Sequence, residues 1–566
     1  MGATQVEERV LASLGQLNGV ATKFEPCADV PNGGVLLTLP ALQTQGLLRH
    51  CAKFFPWPEG YYTMPQIFLL LAFLTLARLK SIESLRYCSP GEWGKLLGLD
   101  RIPEVRTVRE KVKNLSSQGQ VGPWSKQLCQ DWMEADPEST GLLYVDGHVR
   151  VYHGEQTKLP RHYVARQRLC LRATTDYWVN ALGGAPFFVV SRPVDPGLIK
   201  VLREEIIPRL IKEVPGQPSA EALAADPALN RFILIFDREG YSPELLKHCR
   251  EERIGCLTYH KHPGPDWPVE GFVEQTVKLA GGQQEQMKLG ERRTVLSNDL
   301  EIREVRQLKE SGHQTSIICT DERLGTGVAA SAMFGRWCQE NYLKYMREHF
   351  ALDRLIDYGT EPMDETKEIV NPRRRQLESQ VRKLNGQISR KLAVFGGMNL
   401  AGEIEAEKVE AFMKKKGGLQ MEIEGLQKQL AELKATRPGI AQHIQIKDLP
   451  EADRFSRLSS ASKHFIDTIK MIAYRAETSM SQLLKEGIND WHKDEARRHL
   501  QAIYKTEADL IPDEKASTLT VRLHYPANAA AARAIEHLCT ELTETETVFP
   551  GTNLRLVYKL ISAQNP

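Results

Sequence analysis

Apolar positions recur along this chain in three textures, and each predicts a different architecture. From Met1 to about Thr140 the spacing is helical and the strand signal weak. Ile67 to Ala77 is the most apolar run. It is shorter than the ~20 residues a bilayer span needs, and Arg78 and Lys80 close it, so it predicts a buried helix. Short helices over Ser81–Cys88 and Glu92–Leu97, with a turn at Ser89-Pro90-Gly91, precede a basic helix over Pro103–Leu115. That helix carries Arg106, Arg109, Lys111 and Lys113. Two readings fit: a helix-turn-helix module placing its last helix in a major groove, or a helical bundle with a solvated basic face.

From Gly141 the pattern turns β-rich. Leu142–Val149 reads as a buried strand with Asp146 embedded in it. Leu169–Ala173, Trp178–Leu182 and Pro186–Val190 are short, mostly apolar runs, the last two separated by Gly183-Gly184, and they predict an antiparallel meander. Pro196–Val214 predicts an amphipathic helix. Arg231–Gly240 then contains five successive apolar residues, which suit a strand buried on both faces. Sheets of that kind bind ligands at strand carboxyl ends. Asp237 stands at that end, ahead of a helix starting near Ser242, and is either a cap or a metal ligand. Meander, helix and buried strand, with two embedded acids, give the skeleton of a ribonuclease-H-like α/β core.

The expected architecture is α/β and multidomain. Residues 1–140 form a helical N-terminal domain, and 141–261 the first part of the core. Residues 262–314 form a β-rich insertion, and 315–360 the second part of the core with a long helical stretch. Residues 361–450 are strongly charged, with apolar residues four and three apart at Leu377, Val381, Leu384 and Ile388 and again from Leu419 to Leu433. Each arm is too short for a free-standing coiled coil, so a helical hairpin or a seam between two subunits is expected. Residues 451–566 read as a small C-terminal α/β region.

Charge changes this picture little. Lys and Arg number 74 against 72 Asp and Glu, a net +2, so any nucleic-acid surface must come from local patches. The ten cysteines include no Cys-x-x-Cys pair, which argues against a zinc or disulfide framework and suits a reducing compartment. Acids at Glu7 and Glu8, with no early apolar run, argue against a secretory signal. No Gly-x4-Gly-Lys-Ser/Thr stretch occurs, so an ATP-driven engine is not expected.

The remaining chemistry lies around Glu340. On a helix, Arg336, Glu340, Lys344 and Arg347 share a face. The bland reading is an Arg336–Glu340 pair contributing about 0.2–0.5 kcal/mol. With Asp146 and Asp237 added, the set suits a pair of divalent ions for in-line phosphodiester attack. Beside these, Glu239 reads as a capping or salt-bridging group. His148 is a satisfied core histidine or a phosphate contact. Trp267 either packs onto its own domain or stacks on an unpaired base.

At Tyr144-Val-Asp146-Gly-His, Phe236-Asp237-Arg-Glu-Gly and Arg336-Trp-x-Gln-Glu340-Asn the sequence resembles the DDE transposases of bacterial insertion sequences. One branch of that family has a Tyr-x2-Arg-x3-Glu-x6-Lys signature and a β-rich insertion before its third acid. Arg336 and Glu340 match the signature, whereas Met333 stands at the tyrosine position and Arg347 at the lysine position. The likeness spans about Tyr144 to Gly359 and continues at Val370-Asn-Pro, Lys470–Arg475 and Thr547–Asn553. It implies a catalytic and metal-binding triad of Asp146, Asp237 and Glu340 with two Mg2+ or Mn2+ ions. It also implies cleavage of transposon ends, strand transfer into target DNA, assembly as a homodimer or larger oligomer on DNA, and a cytoplasmic, nucleoid-associated location in bacteria. The DNA-contacting set is then Arg336, Lys344, Arg347, Arg106, Arg109, Lys111, Lys113 and Trp267. A nuclease on the same core, or a DNA-binding protein that has lost catalysis, are the alternatives.

Overall fold

The computed structural model describes residues 5–57, 60–154, 159–164, 167–192, 195–279, 284–334, 337–354, 360–362, 366, 368–399, 408–449, 456–458, 460–486, 493–524 and 529–561. Within these, side chains at 337–340, 360–362, 369, 399, 456–458, 493–494 and 529–530 lie outside the description. The chain forms two compact units. One comprises Met1–Tyr152, Arg161–Gly359 and Leu458–Pro566; the other comprises His153–Pro160 and Thr360–Arg457.

The N-terminal part of the first unit is mostly helical, with one short strand, β1 (Cys27–Val30). The apolar run forms α1 (Met64–Leu76), started by a Thr63–Gln66 capping box with Pro65 in its first turn, and buried from Gln66 onward. Among the described residues, no helix is long and apolar enough to cross a membrane. The basic segment forms α2 (Val105–Ser117), whose buried positions Val105, Val108, Val112 and Leu115 are three and four apart. Ser116 Oγ lies 2.8 Å from Ser462 Oγ, which ties α2 to a long C-terminal helix.

The unit is organised by a ten-stranded mixed sheet. Its first strand in the chain is β2 (Leu142–Val151), followed by β3 (Arg161–Val164), β4 (Leu169–Ala181) and β5 (Pro186–Arg192). β4 pairs antiparallel with β2, β3 and β5. β6 (Ile233–Phe236) runs parallel to β2, and β7 (Gly255–Tyr259) parallel to β6. The two runs expected as separate strands at Leu169–Ala173 and Trp178–Leu182 are one strand. The polar stretch Thr174–Asp176 between them is buried, and Asp176 is neutralised within the sheet by Arg150 of β2. The expected helix over Pro196–Val214 contains a π turn at Leu202–Ile206, where Pro208 has no N–H for the Glu204 carbonyl.

The segment expected as an insertion makes β8 (Val273–Lys278), β9 (Gln284–Val295) and β10 (Glu301–Leu308), and the second part of the core opens with β11 (Gln314–Cys319). These continue the same sheet, because β11 pairs antiparallel with β7. Between β6 and β7 lies α3 (Pro243–Glu251), capped by Ser242 Oγ, which accepts from Leu245 N–H at 3.4 Å. The long helical stretch is two helices, α4 (Thr326–Phe334) and α5 (Trp337–His349).

In the second unit, α6 (Pro372–Asn399) and α7 (Val409–Thr436) form a hairpin. Glu368–Val370 pairs antiparallel with His443–Gln445 beside it. Leu377, Ile388 and Ile423 are buried in the seam, and Lys391–Glu422 at 2.5 Å and Arg437–Glu378 at 3.2 Å cross it at two levels.

Back in the first unit, α8 (Ala461–Glu486) is buried along most of its length and packs on α1 and α2. The C-terminal region has β12 (Ala508–Asp513), β13 (Thr518–Leu523), α9 (Ala529–Glu544) and β14 (Arg555–Leu560). β13 and β14 are parallel, with α9 as their crossover, and β1 adds to the far edge through Cys27↔Leu510 and Val30↔Ala508. The joint is tight: a Cβ on Gly34 would sit 1.8 Å from the Ile503 carbonyl oxygen, so only glycine fits there.

Candidate active site

The parallel register of β2 and β6 runs from Leu142↔Ile233 to Val145↔Phe236. One step further along each strand come Asp146 and Asp237. Strand neighbours lie about 4.8 Å apart, so the sheet delivers both carboxylates to one edge. Each is oriented by the chain that follows it. Gly147 N–H donates to Asp146 Oδ1 at 2.9 Å, and Arg238 N–H donates to an Asp237 oxygen as the turn Arg238–Gly240 begins. Asp237 is thus a turn cap whatever else it does.

Two further carboxyls join this edge. Asp195 accepts from the Tyr177 hydroxyl, from Thr175 Oγ1 at 3.2 Å and from Gly197 N–H at 2.9 Å. Glu239 has its carboxyl pKa pushed up, first by desolvation, then by the negative charges of Asp195, Asp146 and Asp237. The expected salt-bridging role for Glu239 therefore gives way to membership of an acidic cluster. Asp195 has no distinguishing mark in the sequence. It reads there as an ordinary residue ahead of a proline and a glycine, and only the fold brings it to the strand ends.

The helix carrying Glu340 covers the same face. Asp146 is the antiparallel partner of Trp178, whose ring lies 5.5 Å from that of Tyr342 on α5. Glu340 is two residues before Tyr342, on the described backbone of α5, and its side chain lies outside the described residues, as does all of Arg336. Met333, at the tyrosine position of the signature, is buried beside Tyr144 in an apolar cluster, so it serves as core. On α5, Leu343 and Met346 are buried, Lys344 is exposed and Arg347 half-buried.

One rung further from the edge, the same face is fully neutralised. His148, paired in register with Asp176, is buried with Nε2 2.5 Å from Asp353 Oδ1, which is the satisfied-histidine reading. Arg150 donates to Asp176 at 3.1 Å, and Lys463 pairs with Asp467 on α8. Asp176 is held below the usual carboxylate range by Arg150, then Lys463, against its burial. Lys470 donates to the Ala351 carbonyl at 3.1 Å, and burial, then the Lys463 charge, push its pKa down to about 7.

The outlying candidates separate into different environments. On α2, Arg106 and Lys113 are exposed, Arg106 with Glu110 at 2.9 Å, and Arg109 pairs with Glu83 at 2.6 Å. Lys111 corrects the expectation of a phosphate-facing cation. Its side chain is buried with Nζ 4.8 Å from the Trp57 ring centre, because position 111 falls on the apolar stripe of the helix. Trp267 is half-buried, with Arg306 at 4.3 Å and Arg292 at 4.7 Å from its ring. Its backbone N–H and carbonyl both bond the Gln314 side chain, so it packs onto its own segment.

Among the described residues, one group brings three donors within 4.8 Å of one another: Asp29, Asp509 and His524. Arg522 already pairs with Asp509 at 2.7 Å, and His524 lies 3.2 Å from it. This is an ion-pair network joining β1 to the C-terminal sheet.

A family model described as "Transposase protein" matches residues 1–562. No curated protein matches the chain.

Proposed function

Because the chain belongs to this family of transposase proteins, we propose that it acts on DNA by the DDE mechanism, with Asp146, Asp237 and Glu340 as the metal-binding triad. The observation that carries this reading is the parallel register of β2 and β6, which sets Asp146 and Asp237 side by side one residue past the last paired rung, Val145↔Phe236. Carboxylates brought side by side are costly to keep, and functional sites are where such arrangements concentrate. The donor set is all oxygen, which suits hard ions such as Mg2+ or Mn2+. The strand order β5–β4–β2–β6–β7, antiparallel on one side of β2 and parallel on the other, supports a ribonuclease-H-like core.

Two such ions, when bound, activate the attacking oxygen and stabilise the leaving 3′ oxygen. The chain's own part is orientation. Gly147 N–H fixes the Asp146 carboxylate, and Arg238 N–H fixes that of Asp237, so neither must reorganise as DNA binds. Arg347 and Lys344, on the helix that carries Glu340, are cations available to flanking phosphates.

The test uses duplexes bearing the sequences that flank the gene, with Mg2+. Asp146→Asn, Asp237→Asn and Glu340→Gln should each lower cleavage by at least about 10²–10³-fold while gel-shift affinity stays near that of the parent. Equal losses of binding and cleavage would make the acids structural. Cleavage without joined products from the parent protein would make it a nuclease.

A further inference from the structure

We propose that the outward face of α6 is a contact surface for the phosphate backbone of duplex DNA. The seam of the hairpin is closed from within, by Leu377 and Ile388 on α6 and Ile423 on α7. At 100° per residue, Arg375, Arg382, Lys383 and Arg390 point away from that seam. Arg382, Lys383 and Arg390 are exposed, and Arg375 is half-buried. Arg382 and Arg390 each donate Nε–H to the carbonyl one turn back, Glu378 and Gly386, which steadies their stems along the helix. The row extends over roughly 22 Å at ~1.5 Å per residue. Between the cations lie only small or uncharged residues, Ser379, Gly386 and Ser389, and a Cβ on Gly386 would meet nothing within 4 Å.

The partner helix is an internal control. The outward face of α7 interleaves Glu410 with Lys414, and Glu424 and Glu432 with Lys428, each four residues apart. That is the mixed pattern of a solvated helix surface. On α6 there are seven Lys and Arg and a single carboxylate, Glu378. Glu378 lies to the side of the row, where it pairs with Arg374 at 3.3 Å and Arg437 at 3.2 Å. The whole chain is only +2, so α6 holds more positive charge than the protein does. A one-signed row that neither closes the hairpin nor pairs along the helix complements a polyanion, and duplex DNA presents one charge per about 1.7 Å of axis. This surface rests on the reading of the protein as DNA-acting, and not on the carboxylate triad.

The experiment is fluorescence anisotropy of a random-sequence duplex with the full-length protein in EDTA, across a KCl series, so that cleavage plays no part. The Arg382→Gln/Lys383→Gln/Arg390→Gln variant should bind more weakly, with its log–log salt slope shallower by about 2.7, close to 0.9 for each phosphate no longer neutralised. Arg382→Lys/Lys383→Arg/Arg390→Lys should keep the slope, and Lys414→Gln/Lys428→Gln on α7 should hardly change it. In the unmutated protein, duplex should protect Lys383 from acetylation, a readout that needs no variant to fold. An unchanged slope, an equal fall in the α7 variant or undiminished Lys383 reactivity would overturn the proposal. So would loss of self-association in sedimentation with the slope intact, which would assign the face to a second copy of the chain.

Discussion

Two rungs of the β2–β4 ladder, two residues apart on one face, treat a carboxylate in opposite ways. At His148↔Asp176 the acid is buried, held by Arg150 and flanked by Lys463, and its pKa is lowered. At Asp146↔Trp178 the acid stands where β2 leaves its pairing with β6, beside groups of its own sign, and it raises the pKa of Glu239. The two acids share a face and a strand pair but not their surroundings: Asp176 is fully buried among cations, and Asp146 is half-buried beside carboxyls. Asp176 is where the sheet settles an internal charge, and Asp146 is where carboxyls of like sign meet.

The comparison is sharpest when each rung is broken separately. Arg150→Met leaves Asp176 buried without its main partner and should cost about 3–5 kcal/mol, read as a fall in the urea midpoint. Asp146→Asn should leave that midpoint unchanged or raise it, because it removes a like charge; a fall as large as that of Arg150→Met would make both rungs structural. Next comes the pH dependence of the neutralised layer. Lys470 has its folded pKa lowered to about 7 against an ordinary 10.5, and it faces Lys463, Asp467, Arg150 and Arg354. Between those values the unfolded chain binds the extra proton, so this lysine makes stability rise as pH increases from about 7 toward 10.5. Lys470→Met should remove that rise in melting temperature, and a variant with the parent's pH profile would show the lysine to be charged in the fold. The smallest effect is expected at the ion-pair network of Asp29, Asp509 and His524. Arg522→Gln breaks a half-exposed pair and should cost under about 1 kcal/mol, with cleavage unaltered.

Much of this was legible in residue patterns. Five apolar residues before Asp237, and the Leu-Leu-Tyr-Val run before Asp146, suffice to place two acids side by side, because each follows the apolar run of one of two neighbouring buried strands. The heptad arms of α6 and α7 are legible for the same reason, since their spacing fits nothing but helices packed on each other. What escaped the sequence depends on residues far apart along the chain. Thr174–Asp176 looks like a break between strands until Arg150 is seen across the ladder. Lys111 looks like a surface cation until its helix phase and Trp57 are known. Asp195 carries no local signal at all, because its neighbours come from β4 and from the turn after β6. The pairing of β1 with β12 is equally silent, as four residues of strand have no meaning apart from their partner.

That last pairing sets an order in time. Asp29 N–H bonds Asp509 across 480 residues of chain, and at ~5–20 residues per second a ribosome needs about 25–100 s to supply the second partner. Through that interval Val35, Leu36 and Leu37, fully buried in the finished protein, have no C-terminal sheet to cover them. Their neighbour Gly34 receives its hydrogen-bond acceptor, the Thr506 carbonyl, from the same distant stretch. A nascent chain stalled before residue 508 therefore leaves Val35–Leu37 open to chaperones and proteases, so the state of the later stretch is reported at a segment made far earlier.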